Sequence, residues 1–242
     1  MSEGHMKFKK PVAELIRERC SWRSYDGRTL DEAVRSEMEG FLSRLDEGPF
    51  GAPVRIQLVD RSGPSWRTRA FGTYGFISGA KQFLAGAVVK AGRSLENYGY
   101  VFEEALLCAT DLGLGTCWMG GTFNRSSFAH AINLRDNEIL PAVSPVGYKR
   151  NRKGALDSAM HRAAGSANRR PWGDLFFCSD FGTPIDESRA GGYSVPLEMV
   201  RLAPSSINNQ PWRVVKPEGA DEFHFYLQRP GVSNKIAEVF VP

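Results

Sequence analysis

Arg19-Cys20-Ser21-Trp22-Arg23 puts two guanidiniums and a hydroxyl within five residues at the end of an amphipathic helix. Arginine donates in a planar fork, so such a set suits a phosphate; it suits an ion-paired turn equally well. Ala203-Pro204-Ser205-Ser206-Ile207-Asn208-Asn209-Gln210-Pro211-Trp212 is a second candidate. Its hydroxyls and carboxamides offer donors and acceptors to the edge of a planar heteroaromatic, and two prolines stiffen it. The same residues also build ordinary Asx and Ser turns. The third candidate is Leu112–Gly121, LGLGTCWMGG, where paired glycines would let a flat ligand lie close to backbone.

Other motifs carry no chemistry. Gly113-Leu114-Gly115 has Trp118 where a dinucleotide loop needs its last glycine, and it follows a helix instead of opening one. Ser78-Gly79-Ala80-Lys81 matches S-x-x-K without the partner motifs that chemistry requires, and reads as chance. The histidines at 5, 130, 161 and 224 are scattered, and none forms a triad with a nearby Cys or Ser. Cys20, Cys108, Cys117 and Cys178 form no C-x-x-C, so the expectation is reduced thiols, three in apolar surroundings, and no metal.

The positioning elements follow from periodicity. Pro11–Arg19 is helical, and Thr29 with Glu32 forms a capping box opening a helix whose buried stripe is Val34, Met38, Phe41, Leu42 and Leu45. Gly48–Pro53 is loop, Val54–Val59 alternates as a strand, Arg61–Gly75 is a connector and Phe83–Val89 a buried strand. Tyr98–Leu112 is a long helix stopped by Gly113. Asn124 caps a short helix over Arg125–Ile132, and Pro141–Tyr148 is a strand. A helix over Val195–Leu202 then leads through the Ser/Asn loop to strands Trp212–Lys216 and Phe223–Gln228.

Composition narrows the function classes. The 242 residues are 42% hydrophobic and 24% charged, which describes a globular protein able to bury roughly 70% of its unfolded surface. Lys+Arg 31 against Asp+Glu 27 leaves +4, dispersed along the chain, so no nucleic-acid partner is expected. The longest apolar run, Phe83–Val89, is too short to span a bilayer, and MSEGHMKFKK lacks a secretory apolar region. No membrane partner and a cytoplasmic location are the expectation.

Helix–loop–strand over Glu32–Val59 recurs over Ser194–Val215, with Pro53-Val54-Arg55 opposite Pro211-Trp212-Arg213. The chain therefore divides into a first half, 1–150, a connecting arm, 151–170, and a second half, 171–242. No counterpart of the long helix follows the last strand, so the second half reads as incomplete.

With R-x-S-x-R, P-S-S-x-N-x-Q-P-W and G-L-G-T-x-W-x-G-G together, the sequence resembles the nitroreductase-like FMN flavoproteins over most of Val12–Trp212. In that family the Ser/Asn loop comes soon after R-x-S-x-R; here it comes about 180 residues later and Gly48–Pro53 holds its usual place. That order is similar to the tandem branch, with two halves fused in one chain. The resemblance implies an α+β fold: two pseudo-repeated halves with a central, mostly antiparallel sheet flanked by helices.

It also implies one FMN per chain. Arg19 and Arg169 would hold the phosphate, Ser21 would bond nearby, and Arg23 would lie by the pyrimidine edge. Gly120 and Gly121 would pass under the ring, Pro204, Ser205, Ser206 and Asn208 would close over it, and Thr73 and Gly75 would touch its edge. NAD(P)H would reduce the flavin and leave before a small acceptor enters, with no side chain as general base. The chain would be a monomer or weakly self-associating. Two other readings stay open: an FMN-binding protein without turnover, and a cofactor-free interaction domain.

Overall fold

A computed structural model describes residues 8–45, 47–61, 77–151, 158 and 168–228. They belong to two compact units, Met1–Ser158 and Ala159–Pro242.

In the first unit, β1 (Val54–Asp60) pairs antiparallel with β2 (Gln82–Val89), Val54 opposite Val88 and Asp60 opposite Gln82. The other edge of β2 takes β5 (Val143–Gly147) and, further along, the two-residue β4 (Glu138–Ile139). β5 in turn carries β3 (Gly115–Thr116), giving the order β1-β2-β5-β3 with β4 beside β2. Every pairing in this sheet is antiparallel.

β2 is buried along nearly its whole length because both faces are covered. Leu84 and Val88 face one core, packed by α2 (Glu32–Leu42) and α3 (Ser94–Asp111) through Met38, Phe41, Val101, Phe102 and Leu106. The alternate residues Phe83, Ala85 and Ala87 face a second core with Phe128 and Ile132 at α4 (Arg125–Ala131). The period-two reversal of a strand thus gives one hydrophobic run two separate partners.

The short helix α1 (Val12–Glu18) runs into an extended strip, residues 19–25, laid against the sheet. Trp22 N–H donates to the Thr116 carbonyl at 2.8 Å, and Tyr25 N–H to the Ser78 carbonyl at 2.8 Å. Two glycines make room for it. A Cβ on Gly115 would stand 3.1 Å from the Trp22 Cβ, and Gly79, at φ +77°, faces the Tyr25 carbonyl with no space for a side chain.

Two helix starts differ from their expected positions. α2 begins at Glu32, and its cap residue Asp31 makes no side-chain capping bond. Tertiary partners satisfy the preceding turn instead: Leu30 N–H goes to Gln82 Oε1 and Asp31 Oδ2 accepts from the Tyr148 hydroxyl. α3 begins at Ser94, a turn before Tyr98, because Asn97 is buried there, accepting from Phe50 N–H and donating to the Ala52 carbonyl. Asn124 does cap α4, its side chain accepting from Ser127 N–H.

In the second unit β6 (Phe176–Cys178) runs parallel to β7 (Trp212–Lys216), and β8 (His224–Leu227) is antiparallel to β7. α5 (Ser194–Leu202) covers a small core of Leu175, Phe176, Ile185, Leu197 and Val214. The fold is α+β, with a predominantly antiparallel sheet and flanking helices. Among the described residues, no helix is long and apolar enough to cross a membrane, and no cluster of side chains could hold a metal.

Candidate functional site

Arg19 is the residue at which α1 gives way to extended backbone. Its side chain, only 5% exposed, turns inward, and its Nε lies 2.9 Å from Glu103 Oε1. The second oxygen of that carboxylate accepts from Trp118 Nε1 at 2.5 Å. Trp118 is in turn set edge-on against Phe102, the ring centroids 4.7 Å apart. Burial pushes the Glu103 carboxyl above its ordinary value, while Arg19 and Trp118 pull it back toward the ionised form.

Two buried polar atoms close by in the fold have no partner: Arg19 Nη1 and Thr116 Oγ1. Ser21 forms a parallel backbone bridge with Thr116, so R-x-S-x-R runs beside the strand that leads into the glycine turn. Arg23 is half-buried, and its carbonyl accepts from Ser78 N–H at 2.9 Å. The glycine turn is held by Met119, which exchanges both backbone hydrogen bonds with Val143, and by Arg125 Nη2 donating to the Gly120 carbonyl. Gly120 is exposed, with nothing within 4 Å of where a Cβ would be, and Gly121 is half-buried. Thr73 and Gly75 lie outside the described residues.

In the second unit the Ser/Asn loop is tied together by its own side chains. Arg169 donates through Nη1 to Asn208 Oδ1 at 2.5 Å and through Nη2 to the Leu202 carbonyl at 3.0 Å. Asn208 Nδ2 donates to the Asn168 carbonyl. Gln210, buried, donates to the carbonyls of Asn168 and Asn208 and accepts from Arg170 N–H, while its own N–H goes to Ser205 Oγ. Ile207, Asn208 and Gln210 all have left-handed backbone, at φ 46°, 58° and 49°. Pro204 and Ser205 are half-buried and Ser206 is exposed. Arg213 is held below its ordinary pKa by burial and by the like charge of Arg170.

Within the first unit, then, Arg19, Ser21 and the strand leading to Gly120 and Gly121 are joined by direct hydrogen bonds and backbone bridges. Within the second, Arg169, Ser205 and Asn208 belong to one network. Sequence reasoning passed over Glu103 and Gln210. Glu103-Glu104 on a helix reads as a solvated face, and only the fold turns Glu103 toward Arg19. Gln210 did stand inside a quoted motif, between two positions of special turn chemistry.

A family model described as "Putative TM nitroreductase" (TM for Thermotoga maritima) matches residues 11–237. The chain belongs to this nitroreductase family. All the residues of both networks lie within the matched span. The chain is similar to a crystallised Thermotoga maritima protein given the same description, at 22% identity, over 95% of this chain and 82% of that one, with a TM-score of 0.56. That likeness places the chain in the nitroreductase fold. It is also similar to a family protein of Desulfovibrio desulfuricans crystallised in complex with FMN, at 20% identity, over 62% of this chain and 95% of the other, with a TM-score of 0.47. No curated protein matches the sequence.

Proposed function

We propose that this nitroreductase-family chain is an FMN-dependent oxidoreductase that takes hydride from NADH or NADPH and delivers it to a small acceptor in a separate half-reaction. The observation that carries the reading is the buried Arg19 guanidinium, whose Nη1 has no protein partner, one strand away from the G-T-x-W-x-G-G turn. A buried donor left unmade costs about 1–3 kcal/mol, which an anionic ligand reaching it recovers. A Cβ on Gly120 would meet nothing within 4 Å, open space that suits a flat ring. These features suit a phosphorylated, planar group, and FMN is one.

The redox chemistry would come from FMN when bound. The chain's part is to bind and orient. Arg19 would supply positive charge to the phosphate, a role the resemblance extends to Arg169, and Ser21 would supply a hydroxyl donor. Arg23 would supply a cation to the pyrimidine edge and stabilise negative charge there. Gly120 and Gly121 would keep side chains off one face of the ring. The resemblance would give Pro204, Ser205, Ser206 and Asn208 the role of a stiff, polar loop for it, and Thr73 and Gly75 that of its edge. No described side chain needs to act as general base.

The test is a visible spectrum of the purified protein, before and after reconstitution with FMN, followed by NADH and NADPH oxidation with menadione or a nitrofuran. Flavin bands with acceptor-dependent turnover support the reading. Flavin bands without turnover reduce it to a binding protein, and failure to bind FMN overturns it.

A further inference from the structure

One carboxylate, on α3, joins two sequence motifs that are almost a hundred residues apart. Glu103 Oε1 holds Arg19 of R-x-S-x-R at 2.9 Å, and Oε2 holds Trp118 of G-T-x-W-x-G-G at 2.5 Å. Each oxygen has one donor, and the two donors come from the segments assigned to the phosphate and to the ring. Arg19 can meet a carboxylate through its Nε edge while its Nη1 stays unpartnered, so Glu103 fixes which edge of the guanidinium is left for an anion.

We infer that Glu103 is a positioning residue for the flavin phosphate: it orients the Arg19 guanidinium and ties that orientation to Trp118 and the glycine turn. The inference rests on the FMN reading above. It adds a residue that would touch no ligand and would act only through Arg19.

The long arginine side chain has several rotatable bonds, and without Glu103 its planar fork has no fixed direction. Loss of Glu103 therefore selectively weakens ligands that carry the phosphate. Trp118 contributes by holding the second carboxylate oxygen, so the carboxylate plane, and with it Arg19, cannot rotate freely. The tryptophan ring is itself braced on Phe102, one residue from Glu103 on the same helix.

Calorimetric titration with FMN and with riboflavin, which lacks the phosphate, tests this on wild type, Arg19→Ala, Glu103→Ala, Glu103→Gln and Trp118→Phe. The readout is the ratio of the two affinities, which a general loosening of the fold does not move. Expected is a fall in that ratio of about tenfold for Glu103→Ala. Glu103→Gln, which keeps an acceptor for Arg19, should recover part of it, and Trp118→Phe should show a smaller fall. If Glu103→Ala does not fold, Trp118→Phe, which leaves the ion pair in place, decides alone. A ratio unchanged in the Glu103 and Trp118 variants but reduced in Arg19→Ala overturns the inference and leaves the FMN reading standing. A wild type that binds both flavins equally overturns the inference alone, and one that binds neither overturns both.

Discussion

Arg169 and Asn208 are joined by a 2.5 Å hydrogen bond across 39 positions of chain, and the bond closes a loop that its own backbone disfavours. Left-handed non-glycine residues cost about 1–3 kcal/mol each where nothing local stabilises them. Three such residues within four positions persist because Arg169, Asn168 and Gln210 hold them. Arg169→Ala should lower stability by about 1.5–3 kcal/mol, the range for a hydrogen bond to a charged group. A double-mutant cycle with Asn208→Ala, read by urea unfolding, should give a coupling of about 1–2 kcal/mol. Additive effects would mean that the bond contributes nothing in solution.

The same loop contains a site for gain. Ile207 is β-branched, 71% exposed and at φ 46°. Its side chain has little packing to lose, and asparagine tolerates this backbone far better. Ile207→Asn should raise the unfolding free energy by about 0.5–1 kcal/mol. Thermal and chemical denaturation would both register it.

Arg19→Ala should weaken FMN by roughly 10- to 150-fold, the equivalent of a lost charge-assisted contact of about 1.5–3 kcal/mol. Riboflavin should bind almost as before. Equal losses for the two ligands would move the phosphate to another cation.

A pH effect follows from Glu138. Arg55 grips its carboxylate with Nε at 2.9 Å and Nη2 at 2.7 Å, and Arg135 N–H adds a third bond. The Arg55 hydrogen bond, working against burial, holds the carboxyl below its ordinary value of 4.5. A folded-state value lower than the unfolded one gives stability that is complete above that ordinary value and is lost as pH falls through the lowered one. Glu103, raised by burial, has the opposite sign: its cost is present at neutral pH and is relieved on acidification. Glu138→Gln should therefore lower stability at pH 7 and flatten the acid limb of the stability profile. Loss of one partner of this partly buried, bidentate pair costs about 1.5–3 kcal/mol. An unchanged acid limb would assign that limb to other carboxylates.

What could be read from the sequence was whatever one element decides alone. The stripe of α3 and its stop at Gly113, the cap at Asn124 and the alternation of β1 needed no partner to be recognised. Residues whose roles depend on distant chain could not be read so easily. The expected cap at Thr29 gave way because Gln82 and Tyr148 supply the turn's hydrogen bonds. β4 has only two residues, and β6 has three with no alternation to reveal them. The candidate binding segments divide along the same line. R-x-S-x-R, the glycine turn and the Ser/Asn loop are contiguous and stood out by spacing. Glu103 joins two of them from a helix where, beside Glu104, it looks like any surface charge.

Gly79 and Gly115 border the strip that carries Arg19 to Arg23; a side chain has no room at Gly79 and would press on Trp22 at Gly115, whereas a side chain on Gly120 would enter open space. The chain's glycines thus answer to different selective pressures. In a library selected only for folding and expression, Gly79 and Gly115 should remain invariant while Gly120 drifts to alanine and serine. Under selection for flavin retention, Gly120 should become invariant as well. Comparing the two libraries position by position would separate the residues that the scaffold requires for itself from those it reserves for its cargo, without any ligand being seen.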